Sequence, residues 1–184
     1  ISQKILSLFE KQDLVIIGID GPTASGKTIL ANNLGSLLKE IDPKIDVQYF
    51  RLDWLLKDRK YRLNDLERIK SNEIKFKLEG EEHMNLDVFK DFLVKFKINH
   101  FTKESSKESD KHYEIFNLYS REEGGKCNLS VNFKYKPKSV IICEGHYTSR
   151  PELAINIDIN ICLLGSKNVL LNRKIERVKE YRSP

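Results

Sequence analysis

Leu14 to Ile19 is an almost unbroken apolar run rich in β-branched residues. It reads as a short strand buried on both faces, as in a parallel sheet. Ser139 to Cys143 and Ile157 to Leu164 are further runs of this kind. Ile45 to Leu52 alternates and predicts another strand. Between these runs the period changes to that of a helix. Leu30, Leu34, Leu37, Leu38 and Ile41 share one face of a helix over Ile29 to Glu40. Leu86, Phe89, Phe92, Leu93 and Phe96 predict a second packed helix, with Asn85 or Asn99 as candidate caps. Residues 3–12 form an amphipathic helical pattern, and Val169 to Arg182 a helix bearing Arg173, Lys174, Arg177, Lys179 and Arg182. His112 to Tyr119 is aromatic-rich, Glu122 to Lys126 is a turn, and Leu129 to Tyr135 alternates, which together predict a β-hairpin. Residues 57–72 are highly charged and predict a surface loop and short helix. Arg59, Lys60 and Arg62 there are candidate phosphate contacts, although a solvated face is the commoner reason for such a run. Residues 103–111 hold no apolar side chain and predict a mobile loop. Strands alternating with helices place the chain in the α/β class.

The pattern acquires chemistry where the first strand ends. Asp20-Gly21-Pro22 is a turn signal, and Gly21, Pro22, Thr23, Ala24, Ser25, Gly26, Lys27 and Thr28 fit G-x-x-x-x-G-K-[ST] at every fixed position. A strand precedes this stretch and a helix follows it, the setting a P-loop requires. Glycines at 21 and 26 let backbone N–H groups surround phosphate oxygens. The helix aims the positive end of its dipole at the same anion. Lys27 is placed to reach the β- and γ-phosphates, and the Thr28 hydroxyl to hold Mg²⁺. Asp53 follows the second strand, at the carboxyl end where parallel sheets gather ligand-handling residues. It also suits an N-cap for Trp54-Leu55-Leu56, and the two roles are compatible.

Composition narrows the class. The chain has 184 residues, 40% hydrophobic and 32% charged, which suits one folded domain. No apolar run approaches the length of a membrane span. The N-terminal stretch is too short in apolar residues, and too charged, for a secretory signal, and it lacks an initiating Met, as expected of a trimmed chain or an internal fragment. Net charge is +5, spread along the chain, so it favours nucleotides over nucleic acid as the anionic partner. Cys127, Cys143 and Cys162 form no C-x-x-C pair. Cys143 and Cys162 are expected to be buried small hydrophobes, which suits a reducing, cytoplasmic compartment and argues against a zinc site.

Four stretches, in order, resemble the uridine kinase-like, phosphoribulokinase-related P-loop kinases of small metabolites. They are Ile17-Gly18-Ile19-Asp20-Gly21 running into Ser25-Gly26-Lys27-Thr28; Leu52-Asp53-Trp54; Ile141-Ile142-Cys143-Glu144-Gly145; and Asn172-Arg173-Lys174-Ile175-Glu176-Arg177. The resemblance implies a three-layer P-loop NTPase fold with a parallel sheet and a β-hairpin insertion. It implies one domain over residues 1–184, with a lid near 166–184. Relatives continue past such a lid, so the expectation is an incomplete sheet, a chain cut at its C-terminus, or one module of a longer protein. Residue by residue, it implies Asp53 as general base, Glu144 with Thr28 as Mg²⁺ holders, and Arg173 and Arg177 as lid arginines. Arg121 is similar to a substrate-binding arginine at the end of the insertion, and Glu82-His83 echoes a pair near the sugar site in a shifted register. Trp54 stands where many members carry a second acid, and Val178 where an acid follows the lid arginine.

The function expected is ATP- and Mg²⁺-dependent phosphoryl transfer to a hydroxyl of a small metabolite such as a nucleoside, sugar or vitamin. The alternative is a nucleotide-binding regulatory module with no acceptor. A nucleic-acid-end kinase is a third class, whose mark would be salt-sensitive oligonucleotide binding. The motifs leave the acceptor, the choice of ATP or GTP, and the oligomeric state open, a homo-oligomer included.

Overall fold

The computed structural model describes residues 1–70, 83–101 and 112–182. In chain order the elements are α1 (Ser2–Leu8), β1 (Leu14–Asp20), α2 (Lys27–Ile41), β2 (Asp46–Arg51), a 3-10 turn (Leu52–Leu55), α3 (Arg59–Lys70), α4 (Leu86–Phe101), β3 (His112–Ser120), β4 (Lys126–Lys134), β5 (Ser139–Glu144), α5 (Pro151–Ala154), β6 (Ile159–Cys162) and α6 (Lys167–Arg182). They divide into two compact units, Ile1–Phe50 with Lys136–Pro184, and Arg51–Tyr135.

The first unit is built on a parallel four-stranded sheet in the order β2-β5-β1-β6. Leu14 is level with Ser139 and Ile17 with Ile142 along β1 and β5, while Ile17 is level with Ile159 along β1 and β6. From β1 the chain crosses to β2 on one side, and from β5 it crosses back over β1 to β6. The strand order therefore reverses at β1, and such a reversal leaves a crevice at the carboxyl ends of the strands. Alternate side chains face one layer: Val15, Ile17 and Ile19 of β1 pack with Val140 and Ile142 of β5, Ala31, Leu34 and Leu38 of α2, and Ile5 of α1. Leu14, Ile16, Ile141 and Cys143, of the other parity, are equally buried. Both faces of the central strands are thus covered, as their unbroken apolar runs require. At Gly35 an added Cβ would run into the Tyr49 ring, so the glycine sets how closely α2 approaches β2.

The second unit holds α3, α4 and the antiparallel β3–β4 hairpin. Its core is aromatic. The Phe92 ring lies 4.6 Å from Phe133 and 5.6 Å from Tyr113, and Phe96 stacks on Tyr135 at 4.6 Å. The helical spacing of Phe89, Phe92, Leu93 and Phe96 predicts this buried face, and all four are fully buried.

Several local expectations change. α3 is a helix of 12 residues where a loop with a short helix was predicted. It has few apolar residues from which to read a period. Asn99 does not end α4, which runs on to Phe101; its amide donates to the Tyr135 hydroxyl at 3.3 Å. β6 is shorter than its apolar run, and Cys162 on it is exposed rather than buried, because β6 is an edge strand paired with β1 alone. The loop expected over residues 103–111 lies outside the described residues.

Candidate active site

The phosphate-binding candidate is the turn between β1 and α2. Gly21 and Gly26 have φ of 142° and 97°, and Ala24 is left-handed at 64°. An L side chain at 21 would be strained, and its Cβ would also sit 2.5 Å from the Leu163 carbonyl oxygen. Left-handed residues among helical ones curl the backbone into a concavity of N–H groups suited to anions. Asp20 braces it, accepting the Gly21 N–H on one carboxylate oxygen at 2.6 Å and the Ser149 N–H on the other at 2.9 Å.

Lys27 is the first residue of α2, and its ammonium curls back to donate to the carbonyls of Gly21 at 2.8 Å and Pro22 at 3.0 Å. A cation is thereby held at the mouth of the turn. The Thr28 hydroxyl donates to Glu144 Oε1 at 3.1 Å. Glu144 ends β5, the sheet neighbour of β1, so parallel pairing carries it to the level of the turn. The Thr23 hydroxyl lies 3.3 Å from His146 Nε2. The Ser25 hydroxyl is buried with no hydrogen-bond partner among the described residues. A cradle of left-handed backbone with an unsatisfied buried hydroxyl fits a ligand rich in acceptor oxygens. The donor set for a cation is hydroxyl and carboxylate oxygen, which suits Mg²⁺. That ion takes one or two protein oxygens and fills its shell with substrate phosphates and water. Among the described residues no cluster of three or more His, Cys, Asp or Glu side chains forms a closed metal site.

Asp53 lies in the second unit, inside the 3-10 turn. Leu52 and Leu55 are buried, and at three residues per turn they share a face. Asp53 is turned outward and 63% exposed. The turn starts after Arg51, so the Asp53 carboxylate is not its N-cap. Among the described residues it pairs with Arg121 at 3.7 Å. His83 packs its ring edge-on to Tyr61 and accepts the Lys57 N–H at its carbonyl at 2.8 Å. Glu82 lies outside the described residues. Arg173 and Arg177 are exposed, one turn apart, on α6.

The structure thus joins Thr28 to Glu144 and Asp53 to Arg121. Sequence reading gave no role to His146 or Asp20, and it named Arg59, Arg62 and Arg121 as separate candidates without joining them in one cavity. His146 and Asp20 carried one signal, their position at the carboxyl ends of buried strands.

A family profile described as Phosphoribulokinase / Uridine kinase family matches residues 16–183. The chain belongs to this family. No curated protein sequence matches it. Among solved structures, phosphoribulokinase from Rhodobacter spheroides superposes with a TM-score of 0.65 at 13% identity, over 93% of this chain and 58% of that one. A possible uridine kinase from Bacillus stearothermophilus does so at 0.56 and 18%, over 97% and 89%. D-glycerate 3-kinase from Cryptococcus neoformans does so at 0.51 and 14%, over 78% and 50%. At these identities the superpositions speak for the fold, and the profile for the family. As a phosphoribulokinase/uridine kinase family member the chain is a P-loop kinase, a phosphotransferase of small metabolites. Kinases of this family use ATP, usually with Mg²⁺. No helix among the described residues is long and apolar enough to cross a membrane.

Proposed function

We propose that this protein transfers the γ-phosphoryl group of ATP to a hydroxyl of a small metabolite, with Asp53 as general base. The observation that carries the reading most is the 3.1 Å hydrogen bond between Thr28 and Glu144. It brings the last residue of the phosphate-binding motif to a carboxylate from the neighbouring strand, a pair of hard oxygen donors suited to Mg²⁺.

The turn from Gly21 to Thr28 grips the triphosphate through its backbone N–H groups. The Lys27 ammonium would bind the β- and γ-phosphates. Thr28 and Glu144 would hold Mg²⁺, which would supply neutralisation of phosphate charge. Arg173 and Arg177 close over the phosphates as α6 approaches, and their guanidinium groups offset charge developing in flight. Asp53, exposed and beside the Arg121 guanidinium, takes the proton as the acceptor oxygen attacks. Closure also excludes the water that would otherwise be phosphorylated. Free thiols at Cys127, Cys143 and Cys162 suit a cytoplasmic enzyme.

Thr28→Ala tests the carrying observation. Removing the hydroxyl should raise the Mg²⁺ concentration for half-maximal turnover roughly tenfold, about 1.4 kcal/mol, and excess Mg²⁺ should restore much of the rate. A loss that no Mg²⁺ concentration alters would oppose the assignment.

A further inference from the structure

In the second unit a cavity of about 280 Å³ is lined by Arg59, Arg62, Leu63, Tyr119, Arg121 and Gly125. Three arginines line one small space. Like charges brought close together repel one another. The local structure holds them there. The Arg62 guanidinium stacks over the Tyr119 ring, 4.9 Å from its centroid, and its Nε donates to the Lys57 carbonyl at 2.9 Å. The Arg59 N–H donates to the Gly125 carbonyl at 2.9 Å, which ties the start of α3 to the hairpin turn. Gly125 has φ of 81°, and a Cβ there would stand 2.8 Å from the Arg59 Cβ, so only glycine lets the two segments meet.

Arg121 is shared with Asp53 at 3.7 Å. Among the described residues no carboxylate lies within ion-pair distance of Arg59 or Arg62. Asp58 accepts the Lys60 N–H at 2.9 Å at the start of α3. The lining thus carries three guanidinium groups, with Asp53 the carboxylate at ion-pair distance among the described residues, and such forked donors match the planar or tetrahedral oxygens of a carboxylate or phosphate.

We propose that the cavity binds an anionic group, phosphate or carboxylate, carried by the phosphoryl acceptor. Calling the ligand an acceptor rests on the kinase reading above; the anion site itself does not. Arg121 links the two halves of the argument. It lines the cavity and also stands beside Asp53, so an acceptor seated by its anionic end presents a hydroxyl a few atoms away to the proposed base. The volume suits a short molecule, since it falls just below the usual range of ligand-pocket sizes. The acceptor class favoured is thus a small acid or sugar phosphate rather than a neutral nucleoside.

Three probes on one carbon skeleton test this by isothermal titration: glycerol 1-phosphate, glycerate and glycerol. The proteins are the wild type, Lys27→Ala, Arg59→Gln/Arg62→Gln and Arg59→Lys/Arg62→Lys. Both anions should bind the wild type at least tenfold tighter than glycerol does, the stronger of the two naming the group. Lys27→Ala should match the wild type, which excludes binding at the phosphate loop. The Gln pair should lose at least tenfold, and the Lys pair should recover part of that loss, which mere damage to the fold would not allow. Equal binding of glycerol, undiminished binding to the Gln pair, or loss confined to Lys27→Ala would each overturn the proposal. ATP titrated into the same wild-type protein tests the kinase reading separately: failure to bind would count against that reading and leave the anion result to stand on its own arms.

Discussion

Asp53 owes its position to its neighbours. Leu52 and Leu55 bury one face of a 3-10 turn, which leaves the intervening carboxylate outward and beside Arg121. Asp53→Asn keeps this shape and removes the basicity. ATP affinity and stability should be unchanged, because the carboxylate neither caps the turn nor packs in the core. Phosphoryl transfer should fall by about 10²–10⁴-fold. Single-turnover transfer near the wild-type rate would remove Asp53 from the mechanism and leave Glu144 as the next candidate base. Asp53 was legible in the sequence as a polar residue at the end of an alternating run. Its partner was not, since nothing local links position 53 to position 121. The same holds for Thr23 and His146, which meet only because β1 and β5 run side by side. Lys27 and Thr28 were legible because a P-loop packs its chemistry into eight consecutive residues.

Among the elements, α4 and the β3–β4 hairpin show what periodicity reveals and what it leaves out. Spacing identified Phe92 as buried, and the structure adds what it is buried against: Phe133 and Tyr113 of the hairpin. Phe92→Ala should therefore destabilise the second unit by about 3–5 kcal/mol, read as a shift in the denaturant midpoint of its unfolding. A change below about 1 kcal/mol would mean that this aromatic core is not packed as described. α3 was only half legible. Its polar sequence gives little amphipathic signal, and Arg59 and Arg62 looked like part of a solvated charge run until Tyr119 and Gly125 were brought against them from the hairpin. β6 erred the other way. An apolar run predicts burial, but its edge position leaves Cys162 exposed.

For the whole molecule, the α/β class and the parallel sheet followed from three apolar runs and the helices between them. The strand order β2-β5-β1-β6 could not be read from those runs, because which strands pair is decided by long-range packing. That order gives the phosphate turn and Glu144 a common edge, and it turns a sequence motif into a site. The central claim is phosphoryl transfer from ATP to a small acceptor. ADP formation tests it most directly, measured for wild type and Lys27→Ala over sugars, polyols and hydroxy acids in neutral, carboxylated and phosphorylated forms. The account predicts that at least one acceptor raises ADP release tenfold or more above the acceptor-free rate, and that Lys27→Ala abolishes this rise while keeping its circular dichroism and unfolding midpoint. ADP release that no acceptor alters, or a Lys27→Ala protein that keeps the wild-type rate, would contradict it.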